Sequence, residues 1–494
     1  MKKTFKVLCI SFFMACMVFS SFARGQKEES LAKPVTLRIF NAKGENAVEF
    51  EKMCADYENQ TGVKVEAFSV GSGTSAIDLL RAQMSSKTAP AIYSIRGLTE
   101  LPEWKESGSV LDFSAVSNPT FQKFANEIPL SMRLSSDGKE SFGVPFNVEG
   151  YGYMVDSQML KDLFGNDGNA VLDALRYCSY DEFVSFVKII DAYIAKPSAQ
   201  KISLGGKAYT LAASKTGRAE KLTGVFAFAG SEKWTYGDHS VNIFLNMVLE
   251  SAGAAAKVSE AQISQLRDPL FAYMKNLDLV TSHVGGLKGK GQRGPDLINS
   301  ANFGYDQSVQ AYVDGNVLFL QQGNWIAVNI EAIDPAVATR SSFIPVKMPV
   351  TDAMVKTGMT AKQFNEAIPI YVPNYYVINA KVSKAEQDAA VDFLLWMNSK
   401  ENVQKYIVGD FKAIPYNADS SFTITDSLSK SIISYLDKGA FISNPYMGMP
   451  KPWYRDDIAG NVMEKFLNKK DWADKDIEAF VDNALAGLKA KLQK

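Results

Sequence analysis

The tightest constraint on this fold lies between Val35 and Val65. Val35, Leu37 and Ile39 alternate with polar residues, the period of a half-buried strand. Phe50, Met53, Cys54 and Tyr57 then recur at helical spacing, Gly62 offers a left-handed cap, and Val63 and Val65 open a second strand. Strand, helix and strand in so short a span imply a parallel pair, and so an α/β protein. The theme recurs: "GSGTSAIDLLRAQMSS" is a Gly/Ser turn into a helix, "PAIYSI" a short strand, and "RGLTELPEW" reads as the loop after it. A β-rich stretch, "SFGVPFNVEGYGYMVD", follows.

The texture changes in the middle third. Ser179 with Glu182 forms a capping box ahead of Phe183, Phe186, Val187 and Ile190, which share one helix face. "KISLGGKAYTLAASK" reads as a hairpin, and "HSVNIFLNMVLESAG" as an apolar helix ending at Gly253. The buried strand in "AYVDGNVLFLQQGNWIAVNI" runs into Gln321–Trp325, so it presents a large aromatic where the chain leaves the sheet. Ser383 with Glu386 opens a helix whose Ala390, Phe393, Leu394 and Met397 face inward, and a further helix over 400–408 stops at Gly409.

At 494 residues the chain can hold two or three domains. Its 53 Lys+Arg balance 54 Asp+Glu without a dense basic cluster, which argues against nucleic acid as a partner. Lys2, Lys3 and Lys6, the apolar run from Val7 to Phe19 and Ser21-Phe-Ala23 have the form of a secretory signal cut after Ala23. That run is shorter than the ~20 residues needed to span a bilayer. Residues 24–34 read as a polar disordered leader. Cys9 and Cys16 lie in the signal, which leaves only Cys54 and Cys178 and no disulfide scaffold. Cys16 follows Phe-Met-Ala, a weak match to a lipid-acylation site, but Met-Val-Phe after it continues the apolar core. Export to the periplasm as a soluble protein is the main expectation, with a lipid anchor as the lesser one.

Little in the chain suits catalysis. The two histidines, His239 and His283, stand in no metal-binding spacing, so neither a metal nor another cofactor is expected. "GGLKGKGQRG" misses the phosphate-loop spacing and reads as a surface loop, while "GNDGNAVLD" misses the calcium-loop spacing and reads as a turn. Glu149 is the best-placed carboxylate, but no second one is marked beside it, so a glycan hydrolase or lyase stays open without support. What stands out is a set of aromatics in polar, loop-like settings: Trp104, Trp234, Tyr236, Trp325, Trp453 and Tyr454. Trp396, within "FLLWM", belongs to a core instead. A sugar ring offers an apolar face for a flat aromatic and a rim of hydroxyls for Asn, Arg and carboxylates.

These pieces resemble family 1 extracellular solute-binding proteins of ABC importers, the group that includes the maltose-binding protein. The resemblance is carried by "VTLRIF", "EFEKMCADYENQTGVKVEAFSV", "LLRAQMSSKTAPAIYSI", "AYVDGNVLFLQQGNW" and "NAKVSKAEQDAAVDFLLWMNSKENVQKYI", in that order. It implies a two-lobed α/β periplasmic-binding-protein fold of type II, with a ligand cleft between lobes joined by hinge crossings. Residues 35–148 and 377–420 would form the N-terminal lobe, and 149–376 and 421–494 the C-terminal lobe. It further implies a monomer that binds a carbohydrate and docks on the transmembrane subunits of an ABC permease. Carried over residue by residue, the ligand contacts would be Asn41, Lys43 and Arg96 on the first lobe, Glu149 at the first crossing, Asn324 and Trp325 after the "FLQQ" strand, Trp453 near the C-terminal helices, and Trp234, Tyr236 and His239 before a helix of the second lobe. Ser94, and the lack of an Asp immediately before Arg96, depart from the maltose-binding pattern. A receptor-reporting binding protein would share every one of these features, and a polyol, an organophosphate or a metal complex are other solutes such importers carry.

Overall fold

The computed structural model describes residues 35–71, 76–129, 132–135, 139–418 and 421–492. The expected signal, leader and lipid site lie outside them, as does part of the Gly/Ser turn before the second helix. Thr36–Asn41 and Lys64–Ser69 pair in parallel, with Leu37 opposite Val65 and Ile39 opposite Ala67. The helix between them, Ala47–Thr61, buries Phe50, Met53, Cys54 and Tyr57 and ends at Gly62, whose φ of 75° is the left-handed cap. Each buried apolar side chain of that stripe contributes on the order of 1.5–3 kcal/mol.

Two sheets organise the molecule as two lobes. The first has the order Lys64–Ser69, Thr36–Asn41, Ile92–Ile95, Tyr375–Ile378, Val144–Pro145. The second runs Phe441–Ile442, Ile368–Tyr371, Glu149–Asp156, Val317–Gly323, Gly224–Ala227, with Ser341–Ile344 also on Glu149–Asp156. The chain passes between the sheets at 145–149, at 371–375 and after Ile414, and these crossings lie side by side. The Phe146 N–H donates to the Asn374 carbonyl at 3.0 Å, and the Val148 N–H to the Ile414 carbonyl at 2.7 Å. Such a bundle of extended segments can flex as a hinge while keeping its backbone hydrogen bonds. Among the described residues no helix is long and apolar enough to cross a membrane.

Local signals held where the chemistry is local. Ser179 and Glu182 make both hydrogen bonds of a capping box, as do Ser383 and Glu386. The hairpin is Lys201–Leu204 with Lys207–Thr210, turned by Gly205 and Gly206 at positive φ. Other expectations need correcting. "RGLTELPEW" is not a loop but the helix Gly97–Glu106, because Leu101 and Trp104 bury on one side of it; Trp104 stacks edge-on against Tyr93 in the core. "GNDGNAVLD" is a single 3-10 turn leading into the helix Gly168–Tyr177, where Gly168 lies against the Lys161 backbone, too close for a Cβ. "GGLKGKGQRG" forms a short ladder, Gly285–Gly286 with Gly289–Lys290. The apolar helix at Ser240 already ends at Leu245, and Gly253 lies inside the next short one. Gly409 does not stop the helix after Ser399; it lies within wide helical turns over Val403–Asp410.

Candidate ligand cleft

A cleft of about 390 Å³ opens where the lobes and crossings meet. Strand ends supply much of it, as expected of α/β sheets, where the chain turns away and leaves a crevice. Lys43 comes from the turn after Thr36–Asn41, Arg96 from the end of Ile92–Ile95, Glu149 from the first crossing, and Trp325 from the turn after Val317–Gly323. Trp234 and His239 come from the turn after Gly224–Ala227.

One part of the wall is aromatic. The His239 ring lies 5.0 Å from Trp234 and 4.9 Å from Trp325, centroid to centroid, and stacks on buried Tyr151 at 4.6 Å. Trp325 is half-buried, and its Nε1 donates to the Gln322 side-chain oxygen at 3.0 Å. The ring lies so close over Gly323 that a Cβ there would fall 2.0 Å from it. Burial pushes the His239 imidazole down to about 3, against the opposing pull of Asp238 and helped by Arg96, Arg455 and Lys43. At neutral pH the ring is therefore uncharged, and it can present one donor and one acceptor.

The rest is charged and mostly paired. Lys43 donates to Glu149 and lies 2.5 Å from Glu45, and Asn147 Nδ2 donates to the same Glu149 oxygen at 3.2 Å. Burial works against the Lys43 charge, but Glu149 and Glu45 outweigh it and hold the ammonium above its ordinary range. Asp238 accepts from Arg455 Nε and, at 2.6 Å, from Arg455 Nη2, while Arg96 reaches it across the cleft at 3.4 Å. A second tie between lobes joins Thr99 Oγ1 to the Met447 carbonyl at 3.0 Å.

Six of the ten expected contacts therefore line the cleft: Lys43, Arg96, Glu149, Trp234, His239 and Trp325. Four do not. Trp453 is fully buried, its Nε1 donating to the Ala484 carbonyl at 2.7 Å and its ring edge-on to Phe244. Tyr236 packs on Phe228 and donates to the Gly230 carbonyl at 3.1 Å. Both corrections share a cause: residues two apart on a helical turn point to roughly opposite sides. Trp453 faces inward and Arg455 faces the cleft; Tyr236 faces inward and Trp234 and Asp238 face the cleft. Asn41 is consumed by its own strand end, where Oδ1 accepts the Lys43 N–H at 3.0 Å and Nδ2 donates to Ser69 Oγ at 3.2 Å. Asn324 holds the Gly150 N–H at 3.0 Å and lines a small void that it shares with Lys43, Glu149 and Trp325.

Sequence reasoning passed over Glu45, Asp238, Tyr305, Tyr371, Tyr446 and Arg455, which also line the cleft. Asp238 and Arg455 stood next to or two residues from chosen positions, and a helical wheel drawn through Trp234 and Trp453 points toward them. Among the described residues no group of three or more His, Cys, Asp or Glu could hold a metal ion.

The fold and a cleft between hinged lobes are those of a solute-binding protein. Residues 52–429 match the family model described as bacterial extracellular solute-binding protein, and this chain belongs to that family. No curated protein matches it. Among solved structures it resembles RafE bound to raffinose, with 16% identity, 93% of this chain and 100% of that chain covered, and a TM-score of 0.59. It also resembles a Streptococcus pneumoniae solute-binding protein in complex with the blood group A-trisaccharide, with 15% identity, 92% and 100% covered, and a TM-score of 0.59. A third is the Bacillus licheniformis sugar transporter BL01359 in complex with stachyose, with 12% identity, 93% and 100% covered, and a TM-score of 0.57.

Proposed function

We propose that this protein captures a carbohydrate in its interlobe cleft and delivers it to the membrane permease of an ABC importer. The observation that carries the reading is the pairing of flat rings, Trp234, His239 and Trp325, with buried charged and amide groups around Lys43 and Glu149. Rings cover the apolar face of a pyranose, and carboxylates, ammonium and guanidinium bond its hydroxyl rim. The similar folds named above hold raffinose, stachyose and a blood-group trisaccharide, which supports the same guest class here. Guest contacts from Lys43 and Arg96 on one side and Trp234 and Trp325 on the other favour the closed form by bridging the lobes. Binding then needs no bond to be broken, and a reducing-end assay should register no turnover.

The test is a panel of mono- and oligosaccharides read by melting temperature and by Trp fluorescence. The cognate sugar is expected to raise the midpoint by mass action and to quench Trp234 and Trp325. A panel in which neither signal moves removes the carbohydrate assignment.

A further inference from the structure

The charges of the cleft are balanced in number but not in arrangement. In one group Lys43 is shared by two carboxylates, Glu45 and Glu149. In another, one carboxylate, Asp238, faces two guanidiniums. Arg455 takes both Asp238 oxygens in a fork, leaving Arg96 a single contact at 3.4 Å. Glu100, which accepts the Arg96 backbone N–H at 3.0 Å, adds a second negative charge near Arg96, and Lys451 beside it adds a third positive one, so cations still outnumber carboxylates here. The Arg96 side chain is 40% exposed, and its contact with Asp238 is the one side-chain hydrogen bond it makes among the described residues. Glu232 and Lys233 add one charge of each sign to the lining and leave this asymmetry unchanged.

Resting on the carbohydrate reading above, we infer that the guest is an acidic saccharide carrying one carboxylate, a uronate, bound with that group between Arg96 and Arg455. A planar carboxylate matches a guanidinium fork and accepts from both of its edges. Placed there, it joins an arginine of the first lobe to one of the second and relieves the repulsion between two cations that share Asp238. The Lys43 group, with two carboxylates to one ammonium, repels a second anion and accepts hydroxyl hydrogens instead. The cleft therefore orients its guest, acidic residue toward Arg96 and hydroxyl-rich residue toward Glu149, and it selects against polyanions.

Calorimetric titration of the protein with matched oligosaccharides tests this, each pair differing only in a C6 carboxylate in place of the C6 alcohol. The uronate member is expected to bind at least ~10-fold tighter at low salt, with the advantage shrinking several-fold at ~0.5 M salt. Arg96→Gln should abolish the preference, and Arg96→Lys, which keeps the charge but loses the fork, should retain part of it and serves if Arg96→Gln does not fold. Neutral members binding as tightly as their uronates overturn the inference and leave the carbohydrate reading standing. Phosphorylated sugars binding in preference to uronates overturn the carboxylate assignment. Failure of every sugar, neutral or acidic, overturns both.

Discussion

Trp325 and Trp453 look alike in sequence, since each follows a turn-forming pair and opens a helical segment, yet they have opposite environments. Trp325 is half-buried over Gly323 with its ring against His239, whereas Trp453 is sealed between Phe244 and the C-terminal helix. Their alanine variants should therefore separate function from stability. Trp325→Ala is expected to weaken sugar binding by roughly ten-fold or more, since stacking adds about 0.5–1.5 kcal/mol beyond the area it covers, while the fold persists. Trp453→Ala should instead cost on the order of 3–5 kcal/mol in denaturant unfolding. Calorimetry and urea titration on the two proteins check both statements, and a Trp453→Ala protein as stable as the parent would refute its core placement.

The element that most shapes the cleft is the wide helical turn Thr235–His239, which turns Asp238 and His239 to the cleft and Tyr236 to the core. Its chemistry sets a pH dependence. The His239 imidazole, pushed down to about 3 by burial, stays neutral in the folded protein, whereas an unfolded chain protonates it below its ordinary value near 6.5. The unfolded state then binds the extra proton, so the contribution is fully present above pH ~6.5 and is lost as pH falls toward 3. At about 1.4 kcal/mol per unit this reaches on the order of 5 kcal/mol. His239→Gln should flatten the fall of unfolding free energy between pH 6 and pH 4 relative to the parent; parallel curves for the two proteins would contradict it.

Elements were legible where the deciding forces act within a few residues. The Ala47–Thr61 stripe, its Gly62 cap and the boxes at Ser179 and Ser383 rest on neighbours three or four positions away, and each was readable. Gly97–Glu106 was not. Pro102 sits inside it and "RGLTELPEW" reads as a loop, but packing of Leu101 and Trp104 against the first sheet outweighs those signals. Local propensity yields when tertiary burial offers more.

At the scale of the molecule the lobes are held together across the cleft by Arg96 to Asp238 and Thr99 to Met447. In Asp238→Asn the two guanidiniums lose the carboxylate they share. The carboxylate is buried while Arg96 is 40% exposed, so most of the stability lost lies within the second lobe at Arg455 and the tie across the cleft is weakened less. Small-angle scattering of the unliganded variant is expected to give a larger radius of gyration than the parent, and saturating sugar to reduce it. Equal radii without sugar would mean that these ion pairs do not bias closure.

The sequence alone determined the α/β class, the parallel first unit and the strand end that presents Trp325, because strand alternation, helical stripes and caps are properties of adjacent residues. The tertiary structure decided which aromatics face solvent and which lie inside, and it brought Arg96, Asp238 and Arg455 together from positions far apart in the chain. A side chain's facing depends on what packs beneath it, and an ion triad on how two lobes meet; neither is encoded in any short stretch of residues.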